Sequence, residues 1–273
     1  MTALTKRGAG LSRDMTGGQA LACLVQQCAL EFVRALPLLM QTDDPEGSHK
    51  TRVALRRLRS VMDGFRPILG KSGLAGVRTE AKMMFCTIGT LRDAEIAALV
   101  LDDPGAIMAK RVAVRVAMDD CKAAQFARRV RHQLDAKDWQ RSGHLAANWG
   151  SSPVTMLAEL ALEVAWGTCV AHGEDILTLA PERRHDLRKV LKTLRYLCDF
   201  FAPLWPRRDV GPFFAKLAAL QAEIGVLTDL DALHALITPG PAVRAAHDAK
   251  AAAALSAADL QWRALLAQGV WWR

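Results

Sequence analysis

The chain has 273 residues and a mass of 29.8 kDa, with 36 Lys and Arg against 28 Asp and Glu, a formal charge of +8 and a pI of about 9.4. Apolar residues make up 51% and charged residues 23%, which excludes an extended disordered chain, while the basic excess points to an anionic partner: nucleic acid, anionic lipid or phosphates. No run approaches the roughly 18 uninterrupted apolar residues of a membrane span, and no apolar stretch follows Lys6-Arg7, so neither membrane association nor export is expected and the expected location is the cytoplasm.

In chain order, residues 1–14 are small and polar and are expected to be disordered. Thereafter the apolar spacing is helical, and no alternating run supports a strand. Breakers such as Asp43-Asp44-Pro45, Asp103-Pro104-Gly105, Pro181 and Pro239-Gly240-Pro241 delimit eight helices. They are predicted over 16–41, 47–69, 73–101, 105–139, 153–179, 182–206, 210–237 and 241–270. Long amphipathic helices joined by short loops predict antiparallel packing in bundles. The six cysteines, at 23, 28, 86, 121, 169 and 198, include no CxxC pair and are expected as buried free thiols.

The chain also repeats itself. His49-Lys-Thr-Arg52-Val-Ala-Leu55-Arg56-Arg57-Leu58-Arg59 matches His185-Asp-Leu-Arg188-Lys-Val-Leu191-Lys192-Thr-Leu194-Arg195, and eight of 21 positions from 49 to 69 are identical in their counterparts. The same register aligns Ile88-Gly89-Thr-Leu91-Arg-Asp93 with Ile224-Gly225-Val-Leu227-Thr-Asp229. The prediction is therefore an all-α protein of two antiparallel four-helix bundles, 15–148 and 150–273, related by duplication and a pseudo-twofold.

On a helix advancing about 100° per residue, His49, Arg52, Arg56, Arg59, Asp63 and Arg66 share an arc of about 100°. Leu55, Leu58, Met62 and Phe65 lie beside it. His185, Arg188, Lys192 and Arg195 repeat the stripe beside Leu191, Leu194, Cys198 and Phe201. Charge on a helix usually marks a solvated face. Here residues 47–69 carry six cations (50, 52, 56, 57, 59 and 66) and one Asp, although like charges one turn apart repel. Two such stripes facing one another would line a groove suited to a linear anion, since guanidinium forks and ammonium groups both bind phosphate oxygens. His49 and His185 read as phosphate donors or as helix-end hydrogen-bonders. Each lacks a same-face partner at i+3 or i+4 for a metal.

These motifs, together with Asp44-Pro45-Glu46-Gly47, Gly89-Thr-Leu91-Arg92-Asp93 and the Trp-rich end Trp262, Trp271-Trp272, resemble the CHAD domain (conserved histidine α-helical domain) over about residues 14–272. The resemblance implies two four-helix bundles around a basic central channel that binds inorganic polyphosphate, without catalysis. Association with polyphosphate granules follows as an expectation. Carried over by position, the binding residues are His49, Arg52, Arg56, Arg57 and Arg59, and His185, Arg188, Lys192 and Arg195. Arg57 lies off the stripe and is opposed by Thr193 in the second copy. Lys82 extends the basic lining, and Arg78, Lys216, Arg111, Arg115 and Lys122 are further candidates.

No Walker-type loop, GxGxxG after a strand, GxSxG, HExxH or EF-hand loop is present, and no catalytic residue, metal site or cofactor is expected. Asp93 with Glu95, and Asp229 with Asp231, are two apart on a helix and cannot share an ion. Asp93 and Asp229 are expected to pair with the motif arginines and hold them in position. Trp and Phe residues read as core. The alternatives are a nucleic-acid-binding helical protein, a phosphoanhydride-processing enzyme and a His-based metal bundle.

Overall fold

The computed structural model describes residues 10–69, 73–101, 104–137, 139, 144–236 and 240–273. They are all-helical, with no strand among them beyond a single antiparallel bridge between Thr16 and Pro153. They form two compact units, residues 10–157 and Ala158–Arg273.

In the first unit, Thr16 caps α1 (Gly17–Gln41) by a reciprocal box: its hydroxyl accepts from the Gln19 amide and the Gln19 side chain accepts from the Thr16 amide. Asp44 accepts from the Glu46 amide to start α2 (Glu46–Gly64). A Cβ on Gly47 would lie 2.7 Å from the Leu39 nitrogen, so glycine lets the start of α2 pass tight against the end of α1. After the short α3 (Arg66–Leu69), α4 (Ala75–Leu101) packs on α2 and α5 (Pro104–Asp120) on α4. The helix predicted over 105–139 is broken. Lys122 is left-handed (φ 51°) and a 3₁₀ turn leads into α6 (Phe126–Asp135), whose Phe126 meets Phe32 edge-on at 5.7 Å. That break lets α6 pack on α1. α7 (His144–Ser151) falls where no helix was predicted.

The boundary expected at 148–150 moves into α8 (Val154–Val170). The cause is local: the Gly17 amide bonds to Ser152 O and the Val154 amide to Met15 O, tying 152–154 to the start of α1. These bonds also contradict the expectation of disorder for 10–14 in part, since Leu11 is buried and the Ser12 hydroxyl bonds Asp14. The rest of that expectation, 1–9, lies outside the described residues. α8 stops at Val170 rather than at 179.

In the second unit, Pro181 and Pro241 occupy the first turns of α9 (Pro181–Phe201) and α11 (Pro241–Gln268), where a missing amide costs nothing. α10 (Arg207–Leu236) packs on both. An aromatic cluster of Trp166, Phe213, Trp262 and Trp272 fills the core, and the Trp262 indole donates to Gly173 O.

By length and composition, α1 and residues Arg207–Asp231 would suffice to cross a membrane, although neither is an uninterrupted apolar run. Their apolar faces are inward: Leu21, Leu24 and Phe32 on α1, and Phe213, Leu217, Leu220 and Ile224 on α10, are fully buried. The cysteines also depart from expectation. Cys28, Cys169 and Cys198 are buried, but Cys23 and Cys121 are half-buried and Cys86 is exposed. Burial alone pushes the Cys169 thiol up to about 12.

Candidate functional site: two cationic helix faces

α2 and α4 run antiparallel in the first unit, and their shared edge carries the cations. From one end to the other, Arg78 pairs with Asp63 at 3.0 Å, Arg59 and Arg56 reach Phe85, Arg52 reaches both Phe85 and Gly89, and Ser48 donates to Glu95. The guanidinium carbons of Arg52, Arg59 and Arg56 lie 4.5, 5.1 and 5.3 Å from the centroid of the one Phe85 ring. All three arginines are half-buried. Burial pulls the Arg52 pKa below its ordinary value while Asp93 pushes it back, leaving the group charged at any physiological pH. Glycine at 89 makes the room: a Cβ there would collide with Nη1 of Arg52. His49 is exposed on the first turn of α2, and Lys82 is exposed one turn from Phe85.

The structure takes Arg57 out of this set. It is 7% exposed and ion-paired at 3.4 Å with Glu31 of α1, on another side of the helix from the stripe. A buried guanidinium committed to a half-buried carboxylate belongs to the core, as its position off the stripe implies. Arg111 and Arg115 are likewise committed: both pair with Asp43, Arg111 also with Glu95, and Arg115 donates to Leu39 O and Thr42 O. They fasten α5 to the α1–α2 connection. Glu95, buried, thus joins Ser48, Arg92 and Arg111, a role that its spacing from Asp93 does not signal. Lys122 is exposed at the break before α6, and its carbonyl accepts from Arg129.

In the second unit α9 and α10 repeat the antiparallel edge. Arg195 donates to Gln221 at 3.0 Å, Gln221 donates to Leu191 O, Arg188 pairs with Asp229 at 3.4 Å and Arg184 with Asp231 at 3.9 Å. The expected pairing of Asp229 with a motif arginine is therefore present, and Asp93 acts on Arg52 through its charge. Lys192 is half-buried on the same face. His185 is exposed, and burial, Lys189 and Arg188 hold its imidazole below the ordinary 6.5 against Asp186. Among the described residues neither His49 nor His185 makes a side-chain hydrogen bond, so the helix-end role gains no partner. Lys216 donates to Gln268 of α11.

Sequence reasoning missed Phe85, which it counted as core. The signal lay in the repeat: the shared register that pairs Gly89 with Gly225 sets Phe85 opposite Gln221. A partner-facing position that changes from aromatic to amide is not a packing position.

A profile of the CHAD domain family matches residues 23–238, most of the chain, and the protein belongs to the CHAD domain family. The fold is similar to that of the CHAD domain from the plant Ricinus communis, a crystal structure at 18% identity and a TM-score of 0.62, over 96% of this chain and 94% of that one. PptA from Streptomyces chartreusis is also similar, at 18% identity and a TM-score of 0.49 over 93% of this chain and 99% of that one. No curated protein matches.

Proposed function

We propose that the chain binds inorganic polyphosphate, without turning it over, through the arginine face of α2 and the cationic face of α9. The observation that carries this reading is the gathering of Arg52, Arg56 and Arg59 around one ring, half-buried and three abreast. Charges so placed repel, and the helix alone gains nothing from them. A polyanion with a charge at each short step repays that repulsion with several charge-assisted bonds of about 1.5–3 kcal/mol each where partly desolvated. Membership of the CHAD family supports the same ligand. His49, Lys82 and His185, exposed beside these faces, add donors to them.

That the ligand is held and not cleaved is part of the reading. A phosphate-release assay with added Mg²⁺ tests that part. Location in the cytoplasm and association with polyphosphate granules are part of the proposal, tested by a fluorescent fusion in cells with and without polyphosphate synthesis.

The decisive measurement is a titration with long-chain polyphosphate at moderate salt. The logarithm of the affinity should fall linearly with log salt as counterions are released, and changing Arg52, Arg56, Arg188 and Arg195 to Glu should abolish binding. No binding by the wild type, or undiminished binding by that variant, defeats the reading. DNA or RNA displacing polyphosphate at equal phosphate concentration would turn it toward nucleic acid.

A further inference from the structure

We infer that Phe85 is a positioning residue for anion binding: its ring holds the guanidinium groups of Arg52, Arg56 and Arg59 in place through its π face. The inference rests on the polyphosphate reading and adds to it the device that arms the first-unit face.

Three observations carry it. The three guanidinium carbons lie within 4.5–5.3 Å of one centroid, inside the roughly 6 Å over which a ring face attracts a cation. The ring is half-buried, so these contacts are screened less than surface ones. In the second unit the corresponding residue is Gln221, which anchors Arg195 by accepting one of its N–H groups.

The two anchors differ in what they leave behind. A carboxylate would order the arginines but cancel one positive charge and take up donors. An amide oxygen takes up a donor without cancelling charge. A phenyl ring carries no formal charge and has no lone pair aimed at a donor, so it orders guanidinium groups while sparing both their charge and their forks for phosphate oxygens. The ring also offsets part of the repulsion among three neighbouring cations. Ordered side chains lose less entropy when the ligand arrives.

The test is a titration with long-chain inorganic polyphosphate at fixed moderate salt, using wild type, F85L, F85Y and F85W, each checked for folding by circular dichroism and thermal unfolding. Leucine keeps an apolar filler and removes the π face. F85L should bind about tenfold more weakly, with an unchanged slope of log affinity against log salt, because the same cations still meet the ligand. F85Y or F85W should restore affinity to within about twofold of wild type. In the ligand-free protein, ring-current shifts of the Arg52 and Arg59 side-chain protons should be present in wild type and lost in F85L. If wild type binds and F85L binds equally well, the inference falls and the polyphosphate reading stands. It also falls if neither aromatic restores what leucine loses. If wild type does not bind, both fall.

Discussion

Helices α2 and α9 carry cations in the same register, yet differ in what lies against them. Beneath α2 an aromatic ring meets three arginines, and no carboxylate is paired with Arg52 or Arg59 among the described residues. Against α9 an amide takes one donor of Arg195, while Asp229 and Asp231 pair with Arg188 and Arg184. Similar sequence motifs therefore make two differently supported faces: an aromatic ring gathers the arginines of the first, and an amide and two carboxylates hold those of the second. Counting Lys and Arg along the helices would not separate them.

The largest expected effect tests that difference directly. R52E/R56E/R59E should lower affinity for long-chain polyphosphate by at least about a hundredfold, and R188E/K192E/R195E by about tenfold, measured by titration at one salt concentration. Equal losses would mean that the ring and the carboxylates make no difference. Next in size is the arginine that stands apart. Arg57 is buried and its partner Glu31 half-buried, so E31Q should destabilise the protein by about 1–2 kcal/mol in urea unfolding by weakening the interaction with Arg57. Polyphosphate affinity should change by less than about twofold, because Glu31 and Arg57 lie away from the stripe. A large loss of affinity in folded E31Q would return Arg57 to the ligand-binding set.

The two glycines of the repeated Ile-Gly segment sharpen the comparison at smaller scale. At Gly89 a new Cβ meets the guanidinium of Arg52, the end of a long side chain, while at Gly225 it would sit 3.7 Å from Nη2 of Arg188, an ordinary contact. Alanine favours a helix interior over glycine by roughly 0.5–1 kcal/mol, so neither G89A nor G225A should unfold the protein. G89A should nonetheless weaken binding about threefold by re-aiming one guanidinium, and G225A should leave it unchanged. Threefold weakening by both would point to a backbone effect rather than to Arg52.

Much of this was legible in the sequence, for identifiable reasons. Helical spacing and proline breaks set most elements, because a 25-residue helix such as α1 shows its apolar stripe many times over. The stripe arithmetic put Arg52, Arg56 and Arg59 together and placed Arg57 off the stripe. The carry-over by family resemblance kept Arg57 among the binding residues, and the structure places its guanidinium against Glu31. The left-handed Lys122 left no trace in periodicity, since the apolar spacing runs on across it. Nor could Glu95 be assigned a role: it depends on which helix faces α2, and neighbouring helices are tertiary information, whereas Phe85 left its one trace in the Gln221 counterpart. An aromatic residue on an amphipathic helix looks like core until its partner proves to be a row of arginines.

The smallest effect belongs to His185, and its sign follows from the surroundings. Burial, Lys189 and Arg188 hold the imidazole below 6.5, so at neutral pH it is uncharged in the free protein. A bound polyphosphate reverses the local potential and favours the imidazolium, raising the pKa in the complex above that of the free protein. A group with a higher pKa when bound contributes affinity that is complete below the free pKa and fades as pH rises through the bound one. Affinity should therefore increase about threefold between about pH 7.5 and about pH 5.5, with a proton taken up on binding. H185N should bind as wild type does at the higher pH and lose most of the increase at the lower. Titration calorimetry in two buffers of different ionisation enthalpy counts the protons. If proton uptake is the same in H185N as in wild type, the pH dependence does not belong to His185.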